Sequence, residues 1–223
     1  MQLKVRDAAK LFKVPESRIY DWLRRRELPA VRVNGQFRLN RDEVILWASE
    51  KGIDLSPEVL ALPSGDPAPA VTLAETLELG GIYYEVDAHD KMSALASVVS
   101  RMPLLKGVNR ETLLGVLVAR EAIMSTGIGE GLAIPHARNP IVLHVSSPMA
   151  TLCFLKTPVD YDAVDGRKVD TLFTLITPNV RVHLHLLAKL AFALRSGPFK
   201  TAIAAKEKPE VLLGVLRDLE KSS

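Results

Sequence analysis

The sequence has little of what secreted and membrane proteins depend on. It contains a single cysteine, Cys153, so neither a disulfide nor a cysteine-based metal site can form within the chain. Apolar runs stay well short of the roughly 20 residues of a membrane-spanning helix, and the N-terminal stretch MQLKVRD has no apolar signal-peptide core. We therefore predict a cytoplasmic protein without membrane insertion, in which Cys153 is a buried, unreactive thiol.

Motifs of nucleotide-binding and hydrolytic enzymes are also missing. The glycines between residues 127 and 131 do not form the dinucleotide-binding pattern, and no Gly-Lys-Ser/Thr follows them. A Gly-x-Ser-x-Gly nucleophile elbow is absent as well. We expect no bound nucleotide, no other cofactor and no metal.

Positive charge is concentrated at one end of the chain. Residues 1–52 carry 12 lysines and arginines against 7 aspartates and glutamates, whereas the other 171 residues carry 17 against 19. A basic N-terminal part on a slightly acidic remainder favours contact with a polyanion through the N-terminal part alone. A solvated basic surface without a partner is the alternative.

A proline-rich stretch divides the chain. The sequence LSPEVLALPSGDPAPA (residues 55–70) contains four prolines and one glycine, a composition that sustains neither a helix interior nor a central strand. We predict a semi-rigid linker over residues 54–71. It separates an N-terminal domain of residues 1–53 from a C-terminal domain of residues 72–223.

The N-terminal domain has the pattern of two short helices, a hairpin and a third helix. Apolar residues recur at helical spacing in KVRDAAKLF, and Pro15 opens a second helical run, PESRIYDWLRRREL. Two alternating runs then flank an Asn-Gly pair, which predicts a β-hairpin. The run RDEVILWASEKG predicts the closing helix. This order is that of a helix-turn-helix unit followed by a hairpin.

The hairpin register can be predicted from its apolar residues. Placing the apolar side chains of both strands on one face requires Val33 to lie opposite Phe37, with a three-residue loop. That register also sets Arg32 opposite Arg38 on the other face. Two facing arginines repel each other unless an anion such as a DNA phosphate lies between them.

The N-terminal domain resembles the excisionase-like, MerR-type winged-helix DNA-binding family through the run IYDWLRRRELPAVRVNGQFRLNRDEVILWA, and the resemblance covers about residues 2–52. It implies a small α+β winged helix-turn-helix domain whose second helix reads a groove of DNA. Asp21 and Arg26 depart from the family pattern, which often has a basic residue and a glycine at these places. A wing that has lost DNA binding, or that binds protein instead, is the alternative. The candidate DNA contacts are Ser17, Arg18, Tyr20, Arg24, Arg25, Arg32 and Arg38.

The most informative segment of the C-terminal domain is residues 110–141. It begins with helical periodicity, which predicts a helix that ends near Met124. A glycine-rich loop follows, and such glycines let backbone N–H groups turn toward an anion. The extended stretch LAIPHA comes next, in which Pro135 fixes the backbone directly before His136. The glycines of the loop are Gly127, Gly129 and Gly131.

A second informative segment is NVRVHLHLLAKLAFALR, which predicts a long helix beginning near Asn179. Arg181, His185 and Lys189 form one polar stripe that we expect to face water. His183 points to nearly the opposite side, among leucines, where a buried imidazole needs a partner. A structural core histidine is the alternative to a functional one.

The C-terminal domain resembles the type-2 enzyme IIA domain of the bacterial phosphotransferase system, the mannitol/fructose class that includes the nitrogen-regulatory members. The resemblance covers about residues 72–221 and lies in the order and spacing of AREAIMSTGIGEGLAIPHA, YDAVDGRKVDTLFTLITP and HLHLLAKLA. It implies an α/β fold, a mixed sheet flanked by helices, which agrees with strand-like runs at 82–86, 150–155 and 171–177. It also implies that His136 is the phosphorylated histidine, with Arg120 and His183 as the other active-site residues.

Imidazole suits a phosphoryl relay because its neutral nitrogen is nucleophilic near neutral pH. We expect His136 to carry the phosphoryl group on Nε2, on the family's precedent, and Arg120 to balance the charge of the phosphoryl oxygens. His183 would orient the group or hydrogen-bond near it. A structural ion pair with Glu121 or another acid is the alternative role for Arg120. Further phosphate contacts are predicted from Thr126, Gly127, Gly129 and Gly131.

Two other sets of residues receive structural interpretations. Asp160, Asp162 and Asp165 could suggest a metal loop, but an Asp-Gly turn at Asp165 is the simpler interpretation. His89 and His144 have no setting that suggests chemistry, so surface or core positions suffice for them.

Because a DNA-binding domain accompanies the enzyme IIA-like domain and no transport domain does, we favour a regulator. The hypothesis is a cytoplasmic phosphocarrier-type regulator that is phosphorylated on His136 by a histidine phosphocarrier protein and couples this state to DNA or protein binding. One alternative is a sugar-specific subunit that passes the phosphate to a separate permease. Another is a transcription factor whose sensor domain is never phosphorylated.

Overall fold

Two units are distinguishable in the computed structural model of the chain, Met1–Pro69 and Ala70–Ser223. The structure describes residues 2–33, 35–51, 53, 70–103, 108–137 and 145–221. The predicted linker therefore lies outside the described residues except for its last two positions, and so does His144. Within the described ranges, no helix has both the length and the apolar character that crossing a membrane requires.

The N-terminal unit combines helices with a small antiparallel sheet. In chain order its elements are β1 (Gln2–Leu3), α1 (Val5–Leu11), α2 (Glu16–Arg24), β2 (Val31–Val33), β3 (Gln36–Asn40) and α3 (Arg41–Glu50). The strand order is β1-β3-β2, with β3 antiparallel to both neighbours. The predicted order of helices and hairpin is confirmed. Strand β1 was not predicted, because two residues are too few to show an alternating pattern.

Aromatic side chains hold the three helices of this unit together. Phe12 follows α1, Trp22 lies on α2 and Trp47 lies on α3, and their ring centroids are 4.9 to 5.7 Å apart in edge-on contacts. Edge-to-face packing is the geometry that aromatic rings prefer. Pro15 is the N-cap of α2 and has a φ of −66°, so its fixed backbone angle starts this helix at no cost.

The predicted hairpin register is wrong. Val33 pairs with Gln36 instead of Phe37, and Arg32 pairs with Phe37, so two residues rather than three separate the strands. Gly35 has a φ of 75° in this turn, an angle that glycine reaches without strain. The two-residue connection is the one that an Asn-Gly pair favours in hairpins.

The register prediction failed because it assumed that every apolar residue of the hairpin faces the core. Val31 is 58% exposed, and it pairs with Arg38. Arg32 covers the Phe37 ring, with its guanidinium carbon 4.8 Å from the ring centroid. An arginine stacked on an aromatic face therefore replaces the expected pair of facing arginines.

The C-terminal unit is built on a five-stranded mixed sheet. Its strands are β4 (Ile82–Val86), β5 (Gly127–Gly129), β6 (Leu132–Ala133), β7 (Met149–Val159) and β8 (Val169–Ile176). The order across the sheet is β4-β7-β8-β6-β5, in which β4–β7 and β6–β8 are parallel and the other two pairs are antiparallel. The helices are α4 (Leu73–Gly80), α5 (Lys91–Arg101), α6 (Arg110–Glu121), α7 (Val180–Arg195), α8 (Gly197–Ala204) and α9 (Pro209–Lys221). The predicted α/β fold is confirmed.

Helices cover both faces of this sheet, and the interior strand β7 shows why. Its residues Cys153 and Leu155 pack toward α5 and α6, whereas Leu152 and Phe154 pack toward α4, α7, α8 and α9. Successive strand residues point to opposite faces, so a nearly continuous apolar strand is buried on both sides. Cys153 has no exposed surface, and burial raises the pKa of its thiol to about 12.

The polar stripe of α7 is only partly exposed, and two of its three residues bond to protein groups, whereas the prediction had the stripe facing water. Nε2 of His185 lies 3.2 Å from the carbonyl oxygen of Val71, and Nζ of Lys189 lies 2.9 Å from a Glu220 carboxylate oxygen. The same carboxylate accepts a hydrogen bond from the backbone N–H of Leu73, at the start of α4. Helical spacing gave the stripe correctly, but it does not tell which neighbouring elements cover a polar face.

Candidate functional site

His136 lies where the chain leaves β6 and runs beside β8. It forms a parallel backbone bridge with Leu175, whose N–H donates to the Pro135 carbonyl at 3.0 Å. Its imidazole is partly exposed, and Nδ1 lies 2.7 Å from the carbonyl oxygen of Ile134. A carbonyl oxygen can only accept, so Nδ1 carries the proton. In the neutral ring, Nε2 is then the nitrogen with the free lone pair.

His183 lies beside His136. The Asn179 side chain caps the start of α7 by accepting from the backbone N–H of the third helical residue, and His183 is the next residue along the helix. His183 is 1% exposed, and its ring centroid lies 5.2 Å from that of His136. Its Nδ1 is 3.3 Å from the Thr177 hydroxyl oxygen. Its buried Nε2 has no hydrogen-bond partner within the described part of the chain.

Burial keeps both imidazoles uncharged. Loss of hydration lowers the pKa of His136 to about 4 and the pKa of His183 to about 3. The hydrogen bond to the Ile134 carbonyl acts in the opposite direction on the pKa of His136, and the positive charge of Arg120 lowers both values. Both rings are therefore neutral at pH 7.

Arg120 supplies a positive charge at the end of α6. It is 8% exposed, and its Nη1 donates to the Met124 carbonyl at 2.8 Å. Its neighbour Glu121 accepts instead from the backbone N–H and the hydroxyl of Thr126, at 2.9 and 2.5 Å. The alternative ion pair between Arg120 and Glu121 is therefore not what the structure has. Among the described residues, the buried Nε of Arg120 has no hydrogen-bond partner.

The glycine-rich segment is a tight hairpin and not the predicted loop. α6 ends at Glu121 instead of Met124, and Gly127 and Gly129 belong to β5, which pairs antiparallel with β6. Gly129 and Gly131 have φ values of 96° and 78°, in the region that favours glycine. The backbone angles of this turn therefore account for two of the three glycines.

Carboxylates surround the same two glycines. A Cβ atom at Gly129 would lie 3.1 Å from Asp165 Oδ2, and one at Gly131 would lie 3.4 Å from Asp170 Oδ1. Arg167 and Lys206 pair with these two carboxylates and offset part of their charge, but their close approach still disfavours a phosphate there. The phosphate contacts at Gly129 and Gly131 stay a prediction.

The other predicted phosphate donors bond to protein acceptors. The N–H of Gly127 donates to Ser125 Oγ at 3.1 Å, and both donors of Thr126 are taken by Glu121. Thr126 is 5% exposed. These groups hold the turn between α6 and β5 together, and the phosphate contacts predicted from Thr126 and Gly127 would require those bonds to break.

Two partners of the imidazoles were not predicted from the sequence. Thr177 lies between β8 and the Asn179 cap of α7. The sequence pattern indicated this position between a strand and a helix. Its contact with His183 crosses the connection between the two elements and has no sequence signal. The Ile134 carbonyl is a backbone group, which no residue type identifies.

The aspartates of the β7–β8 connection bond within the protein. Asp165 accepts from the backbone N–H groups of Glu130 and Arg167, and Asp162 lies 2.6 Å from Nζ of Lys91. Gly166 has a φ of 69°, as the predicted Asp-Gly turn requires. His89 is a surface residue, with 85% of its side chain exposed.

The predicted DNA contacts come from α2, from the residue that follows it, and from the hairpin, whose Arg32 and Arg38 side chains point to opposite faces. Tyr20 on α2 packs edge-on against Phe37 of the hairpin, with 6.4 Å between ring centroids. Arg24 pairs with Asp21, and this hydrogen bond lowers the pKa of the Asp21 carboxyl. Arg38 is half-buried, and the exposed candidates are Ser17, Arg18, Tyr20, Arg24, Arg25 and Arg32.

Arg26 occupies a backbone position that suits glycine. Its φ is 56°, in the left-handed region that residues with a Cβ atom enter only at a cost. This explains why the resembled DNA-binding family has a glycine at this place. The arginine adds an exposed positive charge at the expense of backbone strain.

Comparison with known proteins covers both units. Residues 75–218 match the family described as the phosphoenolpyruvate-dependent sugar phosphotransferase system, EIIA 2, and residues 3–52 match a helix-turn-helix domain family. A nitrogen regulatory protein from Pseudomonas aeruginosa is 34% identical over 131 residues, 58% of this chain and 82% of that protein. One from Escherichia coli is 35% identical over 108 residues, 47% of this chain and 64% of that protein.

Solved structures agree with these matches. The crystal structure of nitrogen regulatory protein IIA-Ntr from Neisseria meningitidis has a TM-score of 0.57 and 26% identity, covering 65% of this chain and 98% of that one. A PTS IIA protein from Streptococcus mutans shares the fold, with a TM-score of 0.55, 21% identity, and 68% and 97% coverage. Both resemblances are confirmed, and the family implies phosphotransfer partners. The chain carries an N-terminal helix-turn-helix domain and belongs to the EIIA 2 family of the phosphoenolpyruvate-dependent sugar phosphotransferase system.

Proposed function

We propose that this protein is a cytoplasmic phosphotransferase-system regulator that accepts a phosphoryl group on Nε2 of His136 from a histidine phosphocarrier protein. The observation that carries this proposal is the 2.7 Å contact between Nδ1 of His136 and the Ile134 carbonyl oxygen. Because the ring is neutral and Nδ1 holds its one proton, the lone pair lies on Nε2. Such a nitrogen is the nucleophile that phosphoryl transfer needs.

The transfer balances without a proton donor or acceptor. The lone pair of His136 Nε2 forms the new N–P bond, while the N–P bond of the donor's phosphohistidine breaks and its electron pair stays on the donor nitrogen. The His136 ring gains positive character as the bond forms. Its Nδ1–H then donates more strongly to the Ile134 carbonyl, which offsets part of that charge.

Arg120 and His183 would hold the phosphoryl oxygens. The guanidinium of Arg120 is planar and permanently charged, and its positive charge acts on both imidazoles. If Thr177 donates its hydroxyl hydrogen to Nδ1 of His183, the proton of that neutral ring is on Nε2, the atom available to donate. We assign no phosphate contact to the glycine-rich turn, because its donors and surroundings favour other partners. The residues concerned are Thr126, Gly127, Gly129 and Gly131.

Exposed apolar side chains near the active site favour a protein as the phosphoryl donor. Ile123, Met124, Ile128 and Val164 are 46 to 80% exposed. The two segments that carry them are in contact, because the N–H of Val164 donates to the Gly127 carbonyl at 3.2 Å. Apolar side chains grouped at a surface are typical of a site where another protein docks.

The helix-turn-helix domain favours regulation over transport as the output. Its exposed arginines are suited to phosphate groups of DNA, and curated relatives of the C-terminal unit are named nitrogen regulatory proteins. We propose that phosphorylation of His136 changes the binding of DNA or of a protein partner. Transfer of the phosphate onward to a purified permease subunit would instead favour a transport role.

A phosphorylation assay tests the proposal. The protein is incubated with enzyme I, histidine phosphocarrier protein and radiolabelled phosphoenolpyruvate, and acid-labile label is measured. We expect the wild type to be labelled and His136→Ala to be unlabelled. His89→Ala is the matched control, because it removes an exposed imidazole and should leave labelling unchanged. A wild-type protein that takes no label would reject the proposal.

A further inference from the structure

Glu121 is a buried carboxylate to which the proposed phosphoryl transfer gives no direct part. Its side chain is 5% exposed, although it follows Arg120 at the end of α6 and resembles an ordinary surface acid in the sequence. Both of its oxygens accept from Thr126, one from the backbone N–H at 2.9 Å and one from the hydroxyl at 2.5 Å. A buried charge is tolerated only when it is paired or hydrogen-bonded in this way.

The Glu121–Thr126 contact leads to the nucleophile through two further hydrogen bonds. The carbonyl of Thr126 accepts from the Ile134 N–H at 3.0 Å. The carbonyl of the same Ile134 accepts from Nδ1 of His136 at 2.7 Å. A displacement of Thr126 therefore moves the group that fixes the protonated nitrogen of His136.

The same turn also holds the catalytic cation. Nη1 of Arg120 donates to the carbonyl of Met124 at 2.8 Å, and Met124 lies between Glu121 and Thr126 in the chain. The turn between α6 and β5 is closed at both ends by the Glu121 carboxylate and its Thr126 partner. The Arg120 guanidinium and the His136 ring are thus attached to one short segment.

Lys91 links this carboxylate to the protein surface. Its Nζ lies 3.7 Å from the buried Glu121 Oε1 and 2.6 Å from Asp162 Oδ2. The Asp162 side chain is 78% exposed, whereas that of Lys91 is only 21% exposed. Lys91 also lies over the ring of buried Tyr161, 5.3 Å from its centroid. Its position compensates the Glu121 charge from the side of α5.

We infer that Glu121, together with Lys91, is a positioning residue of the phosphoryl-transfer site. Through Thr126 and Ile134 it fixes the His136 tautomer that leaves Nε2 unprotonated, and through the turn it fixes the place of Arg120. The inference rests on the proposed function for its effect on the rate of phosphorylation. Its effect on the His136 tautomer can be measured without any phosphate.

The test replaces Glu121 by glutamine, which has the same shape but presents an N–H₂ group to one of the two Thr126 donors. We expect phosphorylation by the phosphocarrier protein to slow by about 10- to 100-fold, the size of effect that a small misplacement of reacting groups produces. In the unphosphorylated protein, ¹⁵N NMR of the imidazoles should show a mixture of His136 tautomers instead of one with the proton on Nδ1.

Three further variants make the result decisive. Glu111→Gln is the matched control, because Glu111 is an exposed residue of the same helix, and it should behave as wild type. Thr126→Val, which keeps the N–H and loses the hydroxyl, should show a weaker form of the Glu121→Gln effect, and Thr126→Ser should restore the wild type. If Glu121→Gln fails to fold, the Thr126 pair carries the test.

The outcomes separate this inference from the proposed function. A single wild-type tautomer and a wild-type rate in both Glu121→Gln and Thr126→Val would overturn the positioning role. A wild-type protein that takes no phosphate would reject the phosphoryl-transfer proposal, while the tautomer comparison would still decide whether Glu121 orients His136. If Lys91→Met is phosphorylated more slowly but keeps the wild-type His136 tautomer, Lys91 has no part in orienting the ring.

Discussion

The two units of this protein place their arginines in opposite environments. In the N-terminal unit Arg24, Arg25 and Arg32 are exposed, where salt screens them and each acts on a polyanion nearly independently. In the C-terminal unit Arg120 is buried beside two uncharged imidazoles. Substitutions of arginines in the first unit should therefore have small, additive effects on binding. Substitutions in the second unit should instead disturb one coupled site.

The largest expected effect is that of replacing the buried arginine, Arg120, on the rate of phosphorylation. Arg120→Met removes a buried positive charge that we propose to face the transferred group, and we expect phosphorylation to slow by roughly 100- to 1,000-fold, as for loss of a donor that stabilises developing charge. Arg120→Lys should recover only part of the rate, because an ammonium lacks the planar set of donors. Initial rates of label uptake measure both.

The control for this prediction is an exposed arginine of the same unit. Arg167→Met changes the net charge equally, and 74% of the Arg167 side chain is exposed, so we expect a wild-type rate. Equal slowing in Arg167→Met and Arg120→Met would mean that long-range charge matters and burial does not, which would erase the contrast between the units.

The next prediction concerns how the free energy of unfolding of the C-terminal unit depends on pH. The folded-state pKa values of His136 and His183 are about 4 and about 3, below the ordinary 6.5. Below pH 6.5 the unfolded chain therefore binds protons that the folded unit does not. The stabilisation from the two neutral imidazoles is fully present above that pH. Below it, the free energy of unfolding falls by about 1.4 kcal/mol per pH unit for each imidazole, until the folded-state pKa values are reached.

Chemical denaturation at several pH values checks this. Both tryptophans, Trp22 and Trp47, lie in the N-terminal unit, so fluorescence follows that unit and far-ultraviolet circular dichroism follows both. We expect acid to lower the midpoint of the C-terminal transition more than that of the fluorescence transition. A double variant, His136→Gln with His183→Gln, that keeps the full pH dependence would contradict the prediction.

A smaller effect is expected from the two arginines of the hairpin. Arg32→Ala and Arg38→Ala should each weaken binding to a random-sequence DNA duplex and reduce the slope of log affinity against log salt by about 1. The double variant should show the sum of the two changes. Arg167→Ala is the charge-matched control from the other unit. An unchanged slope in the double variant would argue against contact between the hairpin and DNA phosphates.

The smallest effect is on backbone strain in the N-terminal unit. Arg26→Gly places at a φ of 56° the residue that adopts it freely, and we expect a gain of about 1 kcal/mol in the free energy of unfolding. Tryptophan fluorescence during urea denaturation measures it. Glycine also makes the unfolded chain more flexible, so a gain well above this value would point to repulsion relieved among neighbouring arginines.

Much of the fold followed from the sequence because its signals are local and repeated. Strand β4 has the predicted bounds, and α7 begins after Asn179 as its helical spacing indicated. The candidate residues His136, His183 and Arg120 come from three separate elements, and only the resemblance placed them together. Spacing along the chain could not supply a 5.2 Å contact between rings 47 positions apart.

What the sequence did not reveal depends on surroundings rather than on residue type. The hairpin register failed because Phe37 is covered by Arg32 and not by the core. The glycine-rich turn was interpreted as an anion site, although its glycines serve backbone angles and a close approach of Asp165 and Asp170. Glu121 could not be told from a surface acid, since only the folded chain buries it.

The two unpartnered nitrogens of the site have a consequence for how long the phosphorylated form lasts. Nε2 of His183 and Nε of Arg120 are buried without acceptors among the described residues, at a cost of roughly 1 to 3 kcal/mol for each such group. Phosphoryl oxygens that accept from them would remove this cost. Loss of the phosphoryl group would restore this cost whether the group goes to water or to a protein acceptor, so the proposed phosphohistidine should be more stable than one on an exposed histidine.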